Sequence, residues 1–114
     1  MDKVKTLKKN REFSFLYRRG KTLVTPVVVI YYHKNKRDNI RYGITTGKKI
    51  GNAVKRNRAR RIIRAAFLEI VPDIKGNYDF VLVARGKTPF VKSRDIKKAI
   101  NKQFKDNKLI WKEY

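Results

Sequence analysis

Seventeen residues, KKIGNAVKRNRARRIIR at positions 48–64, hold eight cations and no acid: Lys48, Lys49, Lys55, Arg56, Arg58, Arg60, Arg61 and Arg64. Wound as a helix at ~100° per residue, this stretch and its continuation place Ala59, Ile62, Ile63, Ala66 and Ile70 within one arc of about 100°. Asn57, Arg58, Arg60, Arg61 and Arg64 fall on the opposite side. One face can seat on a core, and the other is a guanidinium surface suited to bidentate phosphate binding and base stacking. A face made only for solvation mixes its signs. Here Arg56–Arg60 and Arg60–Arg64 are like-charge i,i+4 pairs, each destabilising by about 0.2–0.5 kcal/mol unless an anion bridges it. The pattern asks for a polyanion, without choosing RNA over DNA.

A second set of residues is aromatic. Phe13 and Tyr17 are i,i+4 neighbours beside Leu16, and Tyr31 and Tyr32 end an apolar run. Rings beside cations can stack on unpaired bases, although spacing alone favours a core role for the Phe13–Tyr17 pair. The run 27–32 is apolar at both parities, so alternation cannot say whether Tyr31 or Tyr32 faces outward. Protein-centred catalysis finds little support. Asp38, Glu69, Asp73 and Asp79 stand singly, His33 is alone in a polar turn, and Gly47-Lys48-Lys49 lacks the glycine spacing of a phosphate-cradling loop. With no cysteine and one histidine, thiolate zinc sites, disulfides and most nucleophilic triads are excluded.

These residues sit in a chain of 114, the length of one domain, with Lys plus Arg 31 against Asp plus Glu 9, hence 31 − 9 = +22. Solubility alone needs a net charge of only about 2–8. Such a domain repels itself, so folding is expected to weaken at low salt and to be restored by bound anions. No long helix pairs a basic face with a broad apolar one, which argues against a membrane surface. The opening MDKVKTLKKN has no apolar stretch of signal-peptide type, so a cytoplasmic protein is expected.

Positioning falls to a small α+β frame. Asn10 is placed to cap a first helix that runs to Arg19 and ends at Gly20. Pro26 splits the next run into strands at 22–25 and 27–33, and a further strand covers 40–46. The main helix spans 51–71 and stops at Pro72. Strand 78–84 shows little alternation, as burial on both faces produces. Ser93 is placed to cap a last helix with Ile96, Ala99, Ile100 and Phe104 at helical spacing. The expected product is a mixed four-stranded sheet with three helices, covered on one face, in a single domain 1–114 with residues 1–9 and 107–114 flexible.

The run Lys48-Lys49-Ile50-Gly51-Asn52-Ala53-Val54-Lys55-Arg56-Asn57-Arg58, continuing through Arg60-Arg61-Ile62-Ile63-Arg64 to Ala66-Phe67, resembles the signature of the bacterial ribonuclease P protein component. Leu7 to Phe13, Arg41-Tyr42-Gly43-Ile44 and Tyr78 to Arg85 match as well, so the resemblance covers nearly the whole chain. Lys55 departs from it, at a position often apolar in the family. The resemblance implies the small subunit of a ribonucleoprotein that cleaves the 5′ leader from precursor tRNA. Catalysis belongs to the RNA, whose Mg2+ is held mainly by that RNA and the substrate, with no organic cofactor. The implied partners are the catalytic RNA and precursor tRNA, with no membrane and no obligatory protein partner. The implied fold is like domain 2 of ribosomal protein S5, with a left-handed β-α-β crossover against the usual hand.

Residue by residue, the resemblance assigns RNA binding to Lys48, Lys49, Asn52, Arg56, Asn57, Arg58, Arg60, Arg61 and Arg64. It assigns a leader-binding cleft to Phe13, Tyr17 and Tyr31, against the core role that spacing favours for the first two. It assigns no catalytic side chain and no protein-held metal. A ribosomal RNA-structuring protein and a DNA-binding module are the alternatives the residues leave open.

Overall fold

A computed structural model describes residues 4–111. The elements run β1 (Val4–Thr6), α1 (Asn10–Arg19), β2 (Lys21–Val24), β3 (Val28–Lys34), β4 (Ile40–Thr45), α2 (Ala53–Ile70), β5 (Tyr78–Ala84) and α3 (Ser93–Asp106). They form one mixed sheet in the order β1-β4-β5-β3-β2. β1, β4 and β5 are parallel, and β3 runs antiparallel to both β5 and β2. Helix α2 therefore connects two neighbouring parallel strands, β4 and β5.

The sheet has five strands rather than the four expected. The extra one, β1, comes from the segment read as a mobile basic arm. Val4, Lys5 and Thr6 pair in register with Ile40, Arg41 and Tyr42, and Leu7 behind them is buried. Near the other end, Leu109 and Ile110 are buried, and Ile110 bridges to Ile74. The expected flexibility of residues 1–3 and 112–114 lies outside the described residues.

Strand parity sorts the side chains into two cores. Phe80, Leu82 and Ala84 of β5, with Val28, Ile30 and Tyr32 of β3, join the main cluster under α2 and α3. Phe67, Phe80 and Phe104 are fully buried there, with ring centroids 5.2 and 5.3 Å apart. Each such ring contributes roughly 1.5–3 kcal/mol by burial. Val81 points the other way, into a smaller cluster with Leu7 and Leu16, against which Phe13, Tyr31 and Val83 pack. Helix α1 thus lies on the face expected to be bare.

The helix starts also differ from the sequence reading. The residue before α1 is Lys9, not Asn10, and Glu12 supplies the cap: its Oε1 accepts from the backbone N–H groups of Lys9 and Lys8 at 3.0 and 3.1 Å. At α3 the residue before the helix is Lys92, not Ser93, and Asp95 Oδ2 accepts from its N–H at 2.9 Å. In both cases a carboxylate three residues on closes the turn, which also sets negative charge at the positive end of the helix dipole.

Candidate nucleic-acid interface

Helix α2 begins where Asn52 Oδ1 accepts from the Lys55 backbone N–H at 3.0 Å. Asn52, assigned to RNA by resemblance, thus caps the helix as well. Just before it, Gly51 has φ +134°, and a Cβ there would lie 2.7 Å from Lys55 Cδ. Only glycine lets the chain turn here while the Lys55 stem folds back across it. Ala59, Ile63, Ala66, Phe67 and Ile70 form the buried stripe, and Ile62 is only half-buried, so the seated face is rotated slightly toward Phe67.

The basic residues split into those braced by the fold and those left free. Arg56 Nη1 donates to the Gly51 carbonyl at 2.7 Å, Arg58 Nε to the Pro89 carbonyl at 2.7 Å, and Arg60 Nη2 to Thr46 Oγ1 at 2.9 Å. Each partner is a neutral acceptor that fixes the guanidinium without cancelling its charge. Asn57, Arg61 and Arg64 are exposed on the same helix, and Lys48 and Lys49 are exposed on the short 3-10 turn Lys48–Ile50. None of the ion pairs among the described residues involves a cation of this set.

The aromatic residues meet on the α1 face of the sheet. Phe13 lies on Gly43 of β4, where a Cβ would sit 2.4 Å from Phe13 Cζ. Tyr17 meets Tyr31 edge-on, centroids 5.0 Å apart at 84°. Tyr17 is 43% exposed, while Phe13 and Tyr31 are half-buried with one side against the small core. Parity settles the Tyr31–Tyr32 question: Tyr32 faces the main core and Tyr31 the α1 side. Phe13, Tyr17, Ile44 and Thr45 line a recess of about 370 Å³. A second recess of about 160 Å³ shares Phe13 and Ile44 and is walled by Arg60 and Arg64. The aromatic cleft therefore runs directly to the arginine flank of α2. A recess of about 700 Å³ beside α3 holds none of the predicted site residues.

One cluster escaped the sequence reading. Arg41 of β4 donates from Nε to Asp79 Oδ1 at 2.9 Å, from Nη2 to Asp79 Oδ2, and from Nη1 to Glu12 Oε2 at 2.6 Å. Asn35 Nδ2 also donates to Asp79 Oδ1, at 2.8 Å. The cluster ties α1 to β4 and β5 and so sets the cleft wall that carries Phe13 and Tyr17. Hydrogen bonding to Asp79, then its charge and Glu12, raise the Arg41 pKa against the effect of burial. The Lys9 N–H does most to hold Glu12 below its ordinary value, opposed by burial and aided by the Lys8 N–H and Arg41. The partners lie 29 and 38 residues from Arg41 in sequence, so no local pattern announces them.

Among the described residues no group of three or more His, Cys, Asp or Glu converges as a metal cage, and no helix is long and apolar enough to cross a membrane. The available chemistry is phosphate neutralisation beside an aromatic trough.

The profile of the Ribonuclease P family matches residues 1–108. The ribonuclease P protein component of Oceanobacillus iheyensis is 41% identical over 102 residues, covering 89% of this chain and 84% of that one. Its counterpart in Clostridioides difficile is 42% identical over 100 residues, covering 87% and 88%. The RNase P protein of Staphylococcus aureus superposes with a TM-score of 0.80 at 31% identity, covering 93% and 97%. That of Thermotoga maritima gives 0.77 at 27%, covering 89% and 96%. With a basic helix that keeps its charge and an aromatic cleft opening onto it, the chain belongs to the ribonuclease P protein family, the protein component of a ribonucleoprotein endoribonuclease that matures the 5′ ends of tRNA.

Proposed function

We propose that the exposed side of α2, with Lys48 and Lys49, lies against the catalytic RNA, and that the Phe13–Tyr17–Tyr31 cleft takes the single-stranded 5′ leader of precursor tRNA. The observation that carries this reading is the unbroken path from the cleft to Arg60 and Arg64, with no carboxylate paired to any α2 cation among the described residues.

Two polyanions resist close approach, and fixed cations between them lower that resistance while releasing condensed counterions. Arg56, Arg58 and Arg60 are braced by neutral acceptors, so less side-chain freedom is lost on contact. Stacking on the cleft aromatics holds the leader with little sequence preference, because every base has a π-face. Leader affinity then separates precursor from mature tRNA. Bond breaking and its Mg2+ are assigned to the RNA and substrate, as membership of the ribonuclease P protein family implies. Reduced repulsion at the junction raises the apparent Mg2+ affinity there. The setting is the bacterial cytoplasm.

The test is reconstitution with an in vitro transcribed ribonuclease P RNA. Leader removal at low Mg2+ is measured with and without the protein, and with Arg56→Ala plus Arg60→Ala. Wild-type protein should lower the Mg2+ requirement and the double variant should lose that effect. An unchanged requirement in the variant refutes the role of this face.

A further inference from the structure

We infer that Phe90, roofed by the Lys55 ammonium, is a second stacking ledge that takes an unpaired nucleobase of the catalytic RNA on the flank of α2 away from the leader cleft. The inference rests on the α2–RNA contact proposed above and extends it to an aromatic station which that contact does not use.

Phe90 is 69% exposed and belongs to neither apolar cluster. Its exposure is imposed by a rigid turn. In the 3-10 turn Thr88–Phe90, Thr88 is fully buried: its Oγ1 donates to the Val27 carbonyl at 2.6 Å and accepts from the Arg85 N–H at 2.7 Å. Pro89 is buried, and its carbonyl holds Arg58 Nε. With both preceding residues anchored, the phenyl ring is left standing in solvent. An apolar ring held outward this way contributes nothing to the core and costs hydrophobic stabilisation.

The surroundings specify the occupant. The Lys55 stem folds back over Gly51 and carries its Nζ to 5.4 Å from the Phe90 centroid. That cation caps the ring. Val54 beside it is 76% exposed, and Lys87 and Lys92 are exposed on either side of the turn. The nearby Asp95 carboxylate accepts from the Lys92 N–H as the α3 cap. An apolar ring with cations around it complements a base flanked by its own phosphates.

Direction around the helix separates this ledge from the leader cleft. Arg60 points to Thr46 and walls the recess that reaches Phe13, whereas Arg58 points to Pro89. Two residues apart on an α-helix, they mark opposite edges of the basic face, roughly 160° apart. The structured RNA along α2, rather than the leader, is therefore the strand within reach of Phe90.

The experiment uses the full chain and in vitro transcribed ribonuclease P RNA. Affinity for the RNA alone is measured for wild type, Phe90→Ala, Phe90→Leu and Phe90→Trp, with thermal unfolding of each protein in sulfate. Phe90→Ala and Phe90→Leu should weaken binding by roughly 5- to 150-fold, the value of one stacked base. Phe90→Trp should restore it, and unfolding should not move. The ratio of precursor to mature tRNA affinity in the holoenzyme should also hold. Equal binding by Phe90→Leu and wild type would show that bulk, not the π-face, matters, and would overturn the inference. So would a loss confined to precursor tRNA, which would make Phe90 part of the leader path. If the wild-type chain itself fails to bind the RNA, the α2 reading falls first; if it binds and all four proteins bind alike, only the ledge falls.

Discussion

The contact between Phe13 and Gly43 joins stability to substrate choice at one point. A Cβ on Gly43 would lie 2.4 Å from Phe13 Cζ and 2.6 Å from Cε2, against an ordinary carbon–carbon separation of about 3.5–4.0 Å. Something must yield by about 1 Å. β4 is held by β1 on one side and β5 on the other, so the ring moves rather than the strand. It has somewhere to go, because the recesses of about 370 and 160 Å³ adjoin it. Gly43→Ala should therefore cost only ~1–2 kcal/mol, the low end of overpacking. The displaced ring, however, enters the space assigned to the leader. Urea unfolding in sulfate reads the first effect, and affinity of the reconstituted holoenzyme for precursor against mature tRNA reads the second. Precursor affinity should fall about tenfold, as for loss of one stacking platform, with mature tRNA unaffected. In a Phe13→Ala background the clash is gone, so Gly43→Ala should be nearly neutral in stability and leave precursor affinity where Phe13→Ala put it. Additivity of the two substitutions within about 0.3–0.5 kcal/mol would refute the reasoning. So would normal precursor binding by Gly43→Ala alone.

The free and braced arginines should separate in a mutant series. Arg61→Ala and Arg64→Ala should each reduce the slope of log K against log[salt] by about 0.7–0.9 without moving the Tm; Arg58→Ala should also lower the Tm, because it frees the Pro89 turn. Glu12 should stabilise the fold most at neutral pH. Its folded pKa is depressed, chiefly by the Lys9 N–H, so its contribution is present above the ordinary glutamate range and lost as pH falls through the lower folded value. Urea midpoints of wild type and Glu12→Gln should thus converge in acid, and a gap that stays constant down to pH 3 would contradict this. At +22 the protein without RNA should be partly unfolded in dilute buffer and gain structure with sulfate, as circular dichroism would follow; full structure independent of anions would count against it.

What could be read without coordinates was whatever is encoded locally. Helix α2 announced itself through Ala59, Ile63, Ala66 and Ile70, and its cations came with it, because 3.6-residue periodicity needs only neighbours. The strands at Val28–Lys34 and Tyr78–Ala84 showed as β-branched and aromatic runs. β1 did not show: Val-Lys-Thr has no pattern of its own and is a strand only because β4 lies beside it, some 36 residues on. The cleft stayed ambiguous for a related reason. Strand 28–34 is apolar on both sides because helices lie on both sides, and only the tertiary fold shows that Tyr31 shares the α1 face with Tyr17.

The scarce acids explain how a chain so basic keeps one surface uncompensated. Glu12 and Asp79 close on Arg41 and fix α1 to the sheet. Asp95 caps α3, Glu69 meets Lys97 and Asp106 meets Lys102. Every one of these contacts lies at the start of α3, within it, or between two elements: α1 with β4, β4 with β5, and α2 with α3. Glu69 is the single acid of α2, and it sits a turn and more beyond Arg64, facing α3 rather than the arginine side. These five carboxylates thus order the scaffold, and Arg56, Arg58 and Arg60 are steadied by carbonyls and a hydroxyl that leave their charge intact. A domain selected only for its own stability would place acids at i+4 from Arg56, Arg60 and Arg61. Withholding them lowers the stability of the isolated protein and leaves its strongest field where an RNA phosphate backbone can answer it.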